Sequence, residues 1–176
     1  MLFTEEDILD KAVMDVAEKM LLAARTAPKG RGRNSLVFAI ADRKQIDIIA
    51  NKMEIIARRN GTEFFNRDAK NLRLCPALFI AGTRIEPLGL KFCGNCGLEN
   101  CDNKKLHPTV PCAFNNIDLG IAIGSAASVA ANHRVDNRVM FSAGKAILEL
   151  GLLGDDVKII FGIPLAAISK SPFFDR

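Results

Sequence analysis

The sequence predicts an α+β fold, in which helices form layers on a sheet and a cysteine-rich, metal-binding loop is inserted. Two observations predict the layers: short apolar runs of strand length alternate with segments whose apolar residues recur at helical spacing. A third observation predicts the insertion, because four cysteines lie within twenty residues of a segment that has neither period. We expect one domain over residues 1–176, with the insertion at 83–112.

The first predicted helix begins after the N-cap residue Thr4 and ends before Pro28. Asp7 stands at the third helical position, as in a capping box. A proline at position 28 cannot continue the helix. The buried face is predicted to consist of Ile8, Leu9, Ala12, Val13, Val16, Ala17, Met20 and Leu21.

The middle of the chain is predicted to form two strands with helices between them. The apolar run 36–41 is the first strand, and residues 43–60 form a helix that ends at Gly61. A shorter helix at 62–72 then precedes the second strand, at 76–82. Both runs are continuously apolar, which is typical of buried strands.

The C-terminal part is predicted to contain two helices and a third strand. Residues 117–132 form a helix rich in small side chains, residues 136–153 form another, and 157–163 is the strand. The stretch 83–111 that precedes them has no period. A structureless segment of this length is usually functional, and a metal centre would order it without a core of its own.

Composition narrows the functional classes. The net charge of +4 is mild, so nucleic-acid binding is not expected. The chain contains no apolar run of about 20 residues, and its acidic start differs from a signal peptide, so no membrane association and a cytoplasmic location are expected. The one dense basic stretch, 29–33, is interpreted as a solvated loop, with a glycine-rich phosphate-binding loop as the alternative.

Four clustered cysteines, here called the loop cysteines, are predicted to bind one metal centre. They are Cys93, Cys96, Cys101 and Cys112, with the spacing C-x2-C-x4-C-x10-C. A C-x2-C pair brings two sulfurs onto one tight turn, and clustered cysteines in a cytoplasmic protein favour metal over disulfides. A [4Fe-4S] cluster is the leading prediction; structural zinc, or thiols in redox exchange without metal, are the alternatives.

The cysteine spacing specifies the fourth ligand of the metal centre less clearly than the other three. Cys112 follows Pro111 at the entry to a predicted helix. Cys75 precedes Pro76 and an apolar strand, and we interpret it as a small buried hydrophobic residue. His107 lies in the same segment as the loop cysteines and is interpreted as solvated, although it is a potential zinc ligand.

Four segments, at 93–97, 112–120, 162–165 and 173–176, together carry a resemblance that spans essentially the whole chain. They resemble the family of uncharacterised prokaryotic proteins described as containing a ferredoxin domain. The resemblance implies an iron–sulfur protein. Because no activity is established for that family, it implies a class and not a substrate.

A second, weaker resemblance rests on the turn at 23–30 before the first strand and on the Gly-Ile-Pro at 162–164. These resemble the flavin-dependent nitroreductase superfamily, which implies a nitroreductase-like fold and FMN at the interface of a homodimer. The residues that the resemblance places at the flavin are Arg25, Thr26, Pro28, Lys29, Gly30, Lys170 and Arg176, with Arg25, Lys170 or Arg176 neutralising the phosphate. The chain departs from the pattern by lacking the arginine-rich motif within 1–11 and by having lysine instead of serine after Pro28, which leaves FMN binding open.

These observations predict an iron–sulfur redox protein, with an FMN-dependent oxidoreductase as its enzymatic form. In that form the cluster would pass single electrons to the flavin, which would deliver them to a substrate. The alternative is a non-enzymatic metal-binding module, such as an electron carrier, a redox sensor or a structural zinc protein. Metal identity discriminates the two, because zinc has no redox chemistry. Neither interpretation identifies the redox partner, and no residue is assigned a catalytic role.

Overall fold

Four antiparallel strands form the central sheet of the protein, described here from a computed structural model for residues 1–174. The strands are β1 (Leu36–Asp42), β2 (Ala77–Arg84), β3 (Asp136–Asn137) and β4 (Val157–Ala166). Their spatial order is β1-β2-β4-β3, so that β2 pairs with β1 on one side and with β4 on the other. The predicted α+β class is confirmed.

Within residues 1–174 the helices are α1 (Glu5–Thr26), α2 (Arg43–Asn60), α3 (Glu63–Arg73), α4 (Cys101–Lys105), α5 (Ala113–Asn132) and α6 (Phe141–Glu149), with a short 3-10 turn at Gly30–Gly32. The bounds of α2 agree with the prediction because both of its ends are encoded locally. The Asp42 carboxylate accepts a hydrogen bond from the Gln45 N–H (2.9 Å), and Gly61 ends the helix with a φ of 64°.

Helices cover both faces of the sheet, and the alternation of side chains along β2 shows how. Ala77, Phe79 and Ala81 belong to the core beneath α1 and α5. Leu78 and Ile80 point to the opposite face and pack with α2, α3 and α6. Both faces of the sheet are therefore used for packing, and the loops at its two ends are left to carry functional groups.

The helix predicted over 136–153 is wrong at both of its ends. Asp136–Asn137 pairs with β4 as β3, Met140 forms an isolated bridge with Gly162, and α6 spans only Phe141–Glu149. The hydrogen bonds offered by β4, far along the chain, override the helical spacing of the first residues. Glycines with positive φ then end α6 early.

Helix α5 begins four residues before the predicted start, at Ala113 instead of Ile117, and Cys112 is its N-cap residue. The preceding segment, which was predicted to have no element, contains the short helix α4. The side chain of Asn100 starts this helix by accepting hydrogen bonds from two backbone N–H groups (2.9 and 3.0 Å). Among residues 1–174 no helix has the length and apolar character needed to cross a bilayer.

Candidate functional site

The loop cysteines lie on the segment 85–112, here called the cysteine loop, which joins β2 to α5. Cys93, Cys96 and Cys101 are half-buried, Cys112 is buried, and all four thiols are free. The C-x2-C turn is tight: the Gly97 N–H donates to the Gly94 carbonyl (2.9 Å), and Gly97 has a φ of 82°, which favours glycine. The predicted thiols are therefore present on one loop and are not consumed by disulfides.

The donor chemistry of this loop fits a metal centre, because four free thiols are the ligand set of both iron–sulfur clusters and structural zinc. In the part of the chain that the structure describes, however, no three His, Cys, Asp or Glu side chains stand close enough together to hold one ion. Metal binding therefore requires the loop to bring its sulfurs together. Such coupling between metal binding and local folding is common in small metal sites.

The start of the cysteine loop is fixed to α5 by Asn115. The Asn115 Oδ1 accepts a hydrogen bond from the Glu86 N–H (2.8 Å), and its Nδ2 donates to the Glu86 carbonyl (3.1 Å). Asn115 is 1% exposed, and Leu88, two residues further along the loop, is equally buried. The helix that carries Cys112 thus also holds the opposite end of the loop.

The basic stretch Lys29–Arg33, here called the basic loop, contacts the same region. The Gly30 N–H donates to the Asp118 Oδ1 (2.9 Å) on α5. Arg31 and Arg33 donate to backbone carbonyls of the cysteine loop, at 3.2 and 3.3 Å. The loop predicted to meet a flavin and the loop predicted to bind a metal are therefore adjacent.

Asp118 of α5 is a buried residue at the contact between the basic loop and α5. It is 3% exposed, and its second oxygen, Oδ2, is buried without a hydrogen-bond partner in the described residues. A side chain on Gly30 would collide with Leu88, at 2.5 Å from the added Cβ. The Leu88 side chain would therefore have to shift to admit a larger residue at position 30.

Lys29 and Gly30 are already engaged within the chain. The Lys29 ammonium donates to three carbonyls at the end of α1, those of Ala24 (3.0 Å), Arg25 (2.8 Å) and Ala27 (2.7 Å). Burial, and secondarily the charge of Arg25, lowers the pKa of Lys29, while Asp118 opposes the shift. Lys29 is thus a C-terminal cap of α1 in this structure, and the Gly30 N–H is used by α5.

The remaining residues predicted to contact a flavin in this region differ in the hydrogen-bond donors that they leave available. Arg25 donates one hydrogen bond to the Asn34 side chain, and its guanidinium lies 4.8 Å from the centre of the Phe38 ring. Thr26 donates to a carbonyl one turn back in α1 (3.0 Å). Pro28 has no backbone N–H. Arg25 is therefore the group here that has donors left for an anion.

Lys170 lies at the opposite end of the sheet. The basic loop precedes Leu36, which pairs with Thr83 at the end of β2, whereas Lys170 follows β4, whose Leu165 pairs with Ala77 at the start of β2. About 20 Å of strand separates these ends. Lys170 lines a cleft of about 420 Å³ there, together with Arg67 and Arg138. Arg176 lies outside the described residues.

Cys75 is fully buried, as the sequence predicts. Its Sγ donates to the Asn71 carbonyl (3.4 Å), and burial raises the pKa of its thiol to about 12. A thiol in this environment stays protonated at neutral pH. This favours Cys112 over Cys75 as the fourth ligand.

Two residues of the site were missed by sequence reasoning. Asn115 had no distinguishing signal, because it precedes the predicted helix 117–132 and stands next to a second asparagine, Asn116. Lys104 had none, because a lysine in a polar loop is ordinarily exposed. In the structure Lys104 is 2% exposed, and its ammonium donates to the His107 carbonyl (2.9 Å).

Comparison with known proteins identifies relatives of two kinds. A family model described as "uncharacterized protein containing a ferredoxin domain" matches residues 109–176, which include Cys112, α5, α6 and β4. A relative from Archaeoglobus fulgidus, described as an uncharacterized protein, is 38% identical over 183 residues, covering 100% of this chain and 98% of the relative.

Solved structures with a similar fold include two whose descriptions name FMN. A crystal structure described as an oxidoreductase containing FMN has a TM-score of 0.60 at 15% identity, covering 89% of this chain and 67% of that chain. A nitroreductase family protein from Clostridium novyi NT has a TM-score of 0.59 at 17% identity, covering 87% and 73%. A nitroreductase with bound FMN from Desulfitobacterium hafniense DCB-2 has a TM-score of 0.57 at 17% identity, covering 95% and 83%. These likenesses confirm the nitroreductase-like fold.

Proposed function

The chain belongs to the family of uncharacterized proteins that contain a ferredoxin domain, and we propose that it is an iron–sulfur redox protein. In this proposal the loop cysteines bind a [4Fe-4S] cluster. The observation that carries it is the set of four free thiols on one loop, with the C-x2-C-x4-C spacing. The family description and the flavoprotein fold both support redox chemistry.

The chain's own residues would hold such a cluster in two ways. A bound cluster supplies one-electron transfer. Cys93, Cys96 and Cys101 would donate thiolates from the cysteine loop, while Cys112 is positioned by α5. The N-terminus of α5 favours negative charge, which suits a thiolate at its N-cap. Asn115 would keep the two ends of the loop together.

We further propose that FMN binds at the basic loop. Its support is the contact between the basic loop and the cysteine loop, which would place a flavin next to the cluster. Arg25 would neutralise the phosphate, since only one of its N–H donors is used by Asn34. Lys29 and Gly30 would contribute by shaping the loop, because their donors are used within the chain.

We also propose a homodimer, which the positions of the basic loop and Lys170 support. The basic loop and Lys170 lie at opposite ends of one sheet, so a single FMN that contacts both would need one group from each of two chains. An apolar recess of about 430 Å³ next to α5, lined by Leu119, Ile123 and Phe161 among others, is consistent with such an association. In this proposal, two copies of the chain and two FMN molecules would form the complete oxidoreductase.

A non-enzymatic electron carrier is the second candidate. It is favoured by the internal use of the Lys29 ammonium and the Gly30 N–H, which removes two of the donors that a flavin would use. In this case the cysteine loop and its cluster would carry out electron transfer without a flavin. Structural zinc at the same thiols would remove electron transfer altogether.

Metal analysis of the anaerobically purified protein tests the main proposal. We expect about four iron and four acid-labile sulfide per chain, the composition of a [4Fe-4S] cluster. A protein that contains one zinc, or no metal after reconstitution with iron and sulfide, would contradict it. Flavin bands in the visible absorption spectrum of the same sample would show whether a flavin is bound.

Flavin binding is tested separately, by gel filtration of the protein after incubation with FMN. We expect co-elution of FMN with the wild type, weaker retention by Arg25→Gln, and unchanged retention by Arg58→Gln, an exposed arginine at the end of α2. Absence of FMN from the wild-type peak would reject the flavin form and leave the carrier. Elution at the mass of a monomer would reject the dimer.

A further inference from the structure

A cleft lined by cationic side chains lies between α3 and the segments that follow β3 and β4. Its volume of about 420 Å³ is within the range of small-molecule sites, about 300–1,000 Å³. None of the described residues that line it is acidic. This cleft, here called the arginine cleft, has walls that include Arg67, Asn71, Leu74, Arg138, Ile168 and Lys170.

Arg67 is held in place by a buried carboxylate. Its Nε and Nη2 donate to the Asp68 Oδ1 (3.0 and 2.8 Å), and the Asp68 Oδ2 accepts a hydrogen bond from the buried Ser142 hydroxyl (2.6 Å). Asp68 is 4% exposed. The Nη1 donors of Arg67 have no partner among the described residues. Arg67 is therefore a positioned arginine that still has donors available for an anion.

Arg138 is a half-buried cation without a carboxylate partner. Its Nη1 donates one hydrogen bond, to the Phe173 carbonyl (3.3 Å), and among residues 1–174 no carboxylate lies within 4.0 Å of its guanidinium. Partial burial of a cation is unfavourable unless a negative charge compensates it. A guanidinium matches the oxygens of a phosphate or a carboxylate. The position of Arg138 therefore favours an anionic ligand in the cleft.

Two neutral donors lie in the same walls. The Ser171 Oγ is buried and has no hydrogen-bond partner among the described residues. Asn71 lies one turn after Arg67 on α3, and therefore on the same face of the helix. An unsatisfied buried hydroxyl is unfavourable, and an oxygen of a bound anion would be the acceptor that Ser171 lacks.

The arginine cleft also has an apolar edge. Leu74 and Ile168 line it and are 54% and 46% exposed. A ligand that carried an apolar or aromatic body next to its anionic group would remove these side chains from water. The walls thus combine converging donors with exposed apolar surface, as small-molecule sites do.

We propose that the arginine cleft binds a phosphate monoester carried on an apolar or aromatic body, as a ligand other than FMN. A monoester is a dianion above its second pKa of about 6 and has three strong acceptor oxygens. FMN has one phosphate, and its proposed partner Arg25 lies at the opposite end of the sheet, about 20 Å of strand away. The inference goes beyond the proposed function and does not depend on it, because neither Arg25 nor a loop cysteine is among the described residues of these walls.

The test is isothermal titration calorimetry of the full-length protein with phenyl phosphate, in phosphate-free buffer at about pH 8, where the monoester is a dianion. We expect one saturable site per chain, and tighter binding than that of inorganic phosphate. Arg138→Gln should weaken the binding of phenyl phosphate at least tenfold, because it removes a charge-assisted contact. Arg138 is chosen over Lys170 because the homodimer proposal also uses Lys170.

Two further variants keep the test decisive. The matched control Arg58→Gln changes an exposed arginine outside the cleft and should alter the affinity by less than about twofold. Leu74→Ala removes an exposed side chain and leaves the core intact, so it remains informative if Arg138→Gln does not fold. It should reduce the preference for phenyl phosphate over inorganic phosphate. Absence of saturable binding by the wild type, or equal affinities of the wild type and Arg138→Gln, would overturn the inference.

The same titration in the presence of FMN separates this site from a flavin site. We expect saturating FMN to leave the binding of phenyl phosphate unchanged. Loss of phenyl phosphate binding in the presence of FMN would make the cleft the phosphate site of the flavin and would overturn the inference. Absence of iron or flavin from the purified protein would instead reject the proposed function and leave this titration intact, so the two failures are distinguishable.

Discussion

Asn115 is the residue on which the attachment of the cysteine loop depends most directly, and Asn115→Ala tests that attachment. The amide bonds both backbone groups of Glu86, at 2.8 and 3.1 Å, and so fixes the start of the loop to α5. Alanine keeps the helix and removes both bonds to Glu86, together with a longer one from Nδ2 to the Ser35 hydroxyl (3.5 Å). The adjacent Asn116 is exposed, which makes Asn116→Ala a control of the same chemistry.

The expected magnitude follows from the two bonds to Glu86, because the 3.5 Å contact with Ser35 is at the limit of hydrogen-bond distance. Each hydrogen bond contributes about 0.5–1.5 kcal/mol net, and an orphaned buried group costs about 1–3 kcal/mol. Because Glu86 is half-buried, water can replace part of what is lost, so we expect a destabilisation of about 2 kcal/mol relative to the control. The gain in helix propensity from alanine, roughly 0.7 kcal/mol at most, is common to both variants and cancels.

Equilibrium urea unfolding of the metal-free protein measures this difference, and hydrogen exchange at the Glu86 amide locates it. We expect Asn115→Ala to unfold at lower urea than Asn116→Ala and to exchange the Glu86 proton faster. Variants that differ by less than about 0.5 kcal/mol, the range of ordinary surface substitutions, would refute the role assigned to Asn115.

Three further predictions concern the thiols, the packing of α6 and an ion-pair network. Serine at any one of the loop cysteines should abolish metal binding, whereas Cys75→Ser should leave the metal content intact; equal metal loss by elemental analysis would show that Cys75 is the fourth ligand. Gly144→Ala should destabilise the protein by several kcal/mol in urea unfolding, because its Cβ would lie 1.8 Å from the Ile160 carbonyl oxygen, while Gly120→Ala, with no atom within 4 Å, should gain up to about 1 kcal/mol. Hydrogen bonds from Arg59 and Lys52 lower the pKa of Glu149 from 4.5 to about 2, so the stabilisation from this network is present above pH 4.5 and is lost as pH falls toward 2. The free energies of unfolding of the wild type and Glu149→Gln should therefore differ by about 1 kcal/mol at pH 7 and converge near pH 2. An equal difference at both pH values would contradict this.

The elements that could be predicted from the sequence are those whose ends are encoded locally. The cap residue Asp42 and the left-handed Gly61 bound α2, and the capping box at Thr4 begins α1. The short strand β3 was not predictable in this way. Its two residues become a strand only because β4, more than twenty residues later, offers them hydrogen bonds.

The candidate site likewise combines features that are encoded locally with features that depend on residues far apart in the sequence. The spacing of the loop cysteines is a local property, and it identified the thiols as the chemistry-bearing groups. The contacts of Asn115 with Glu86 and of Gly30 with Asp118 join residues 29 and 88 positions apart, and no periodicity reports such distances. The burial of Lys104 likewise depends on how the loop packs, because the residue type alone predicts exposure.

The engagement of Lys29 shows a limit of motif reasoning. A lysine after a helix and next to glycines has the composition of an anion site, and the sequence offered that interpretation. In the structure the same ammonium stabilises the end of α1, where three carbonyls face it. Capping and anion binding use the same charge, so the surrounding backbone decides between them.

The visible absorption spectrum of the anaerobically purified protein, before and after dithionite, tests the central claim most directly. The account predicts a broad brown absorption that bleaches on reduction and that is absent from the serine variants of the loop cysteines, with additional flavin bands if FMN is bound. A colourless protein that contains zinc, or one whose absorption is unaffected by dithionite, would contradict the assignment of an iron–sulfur redox protein.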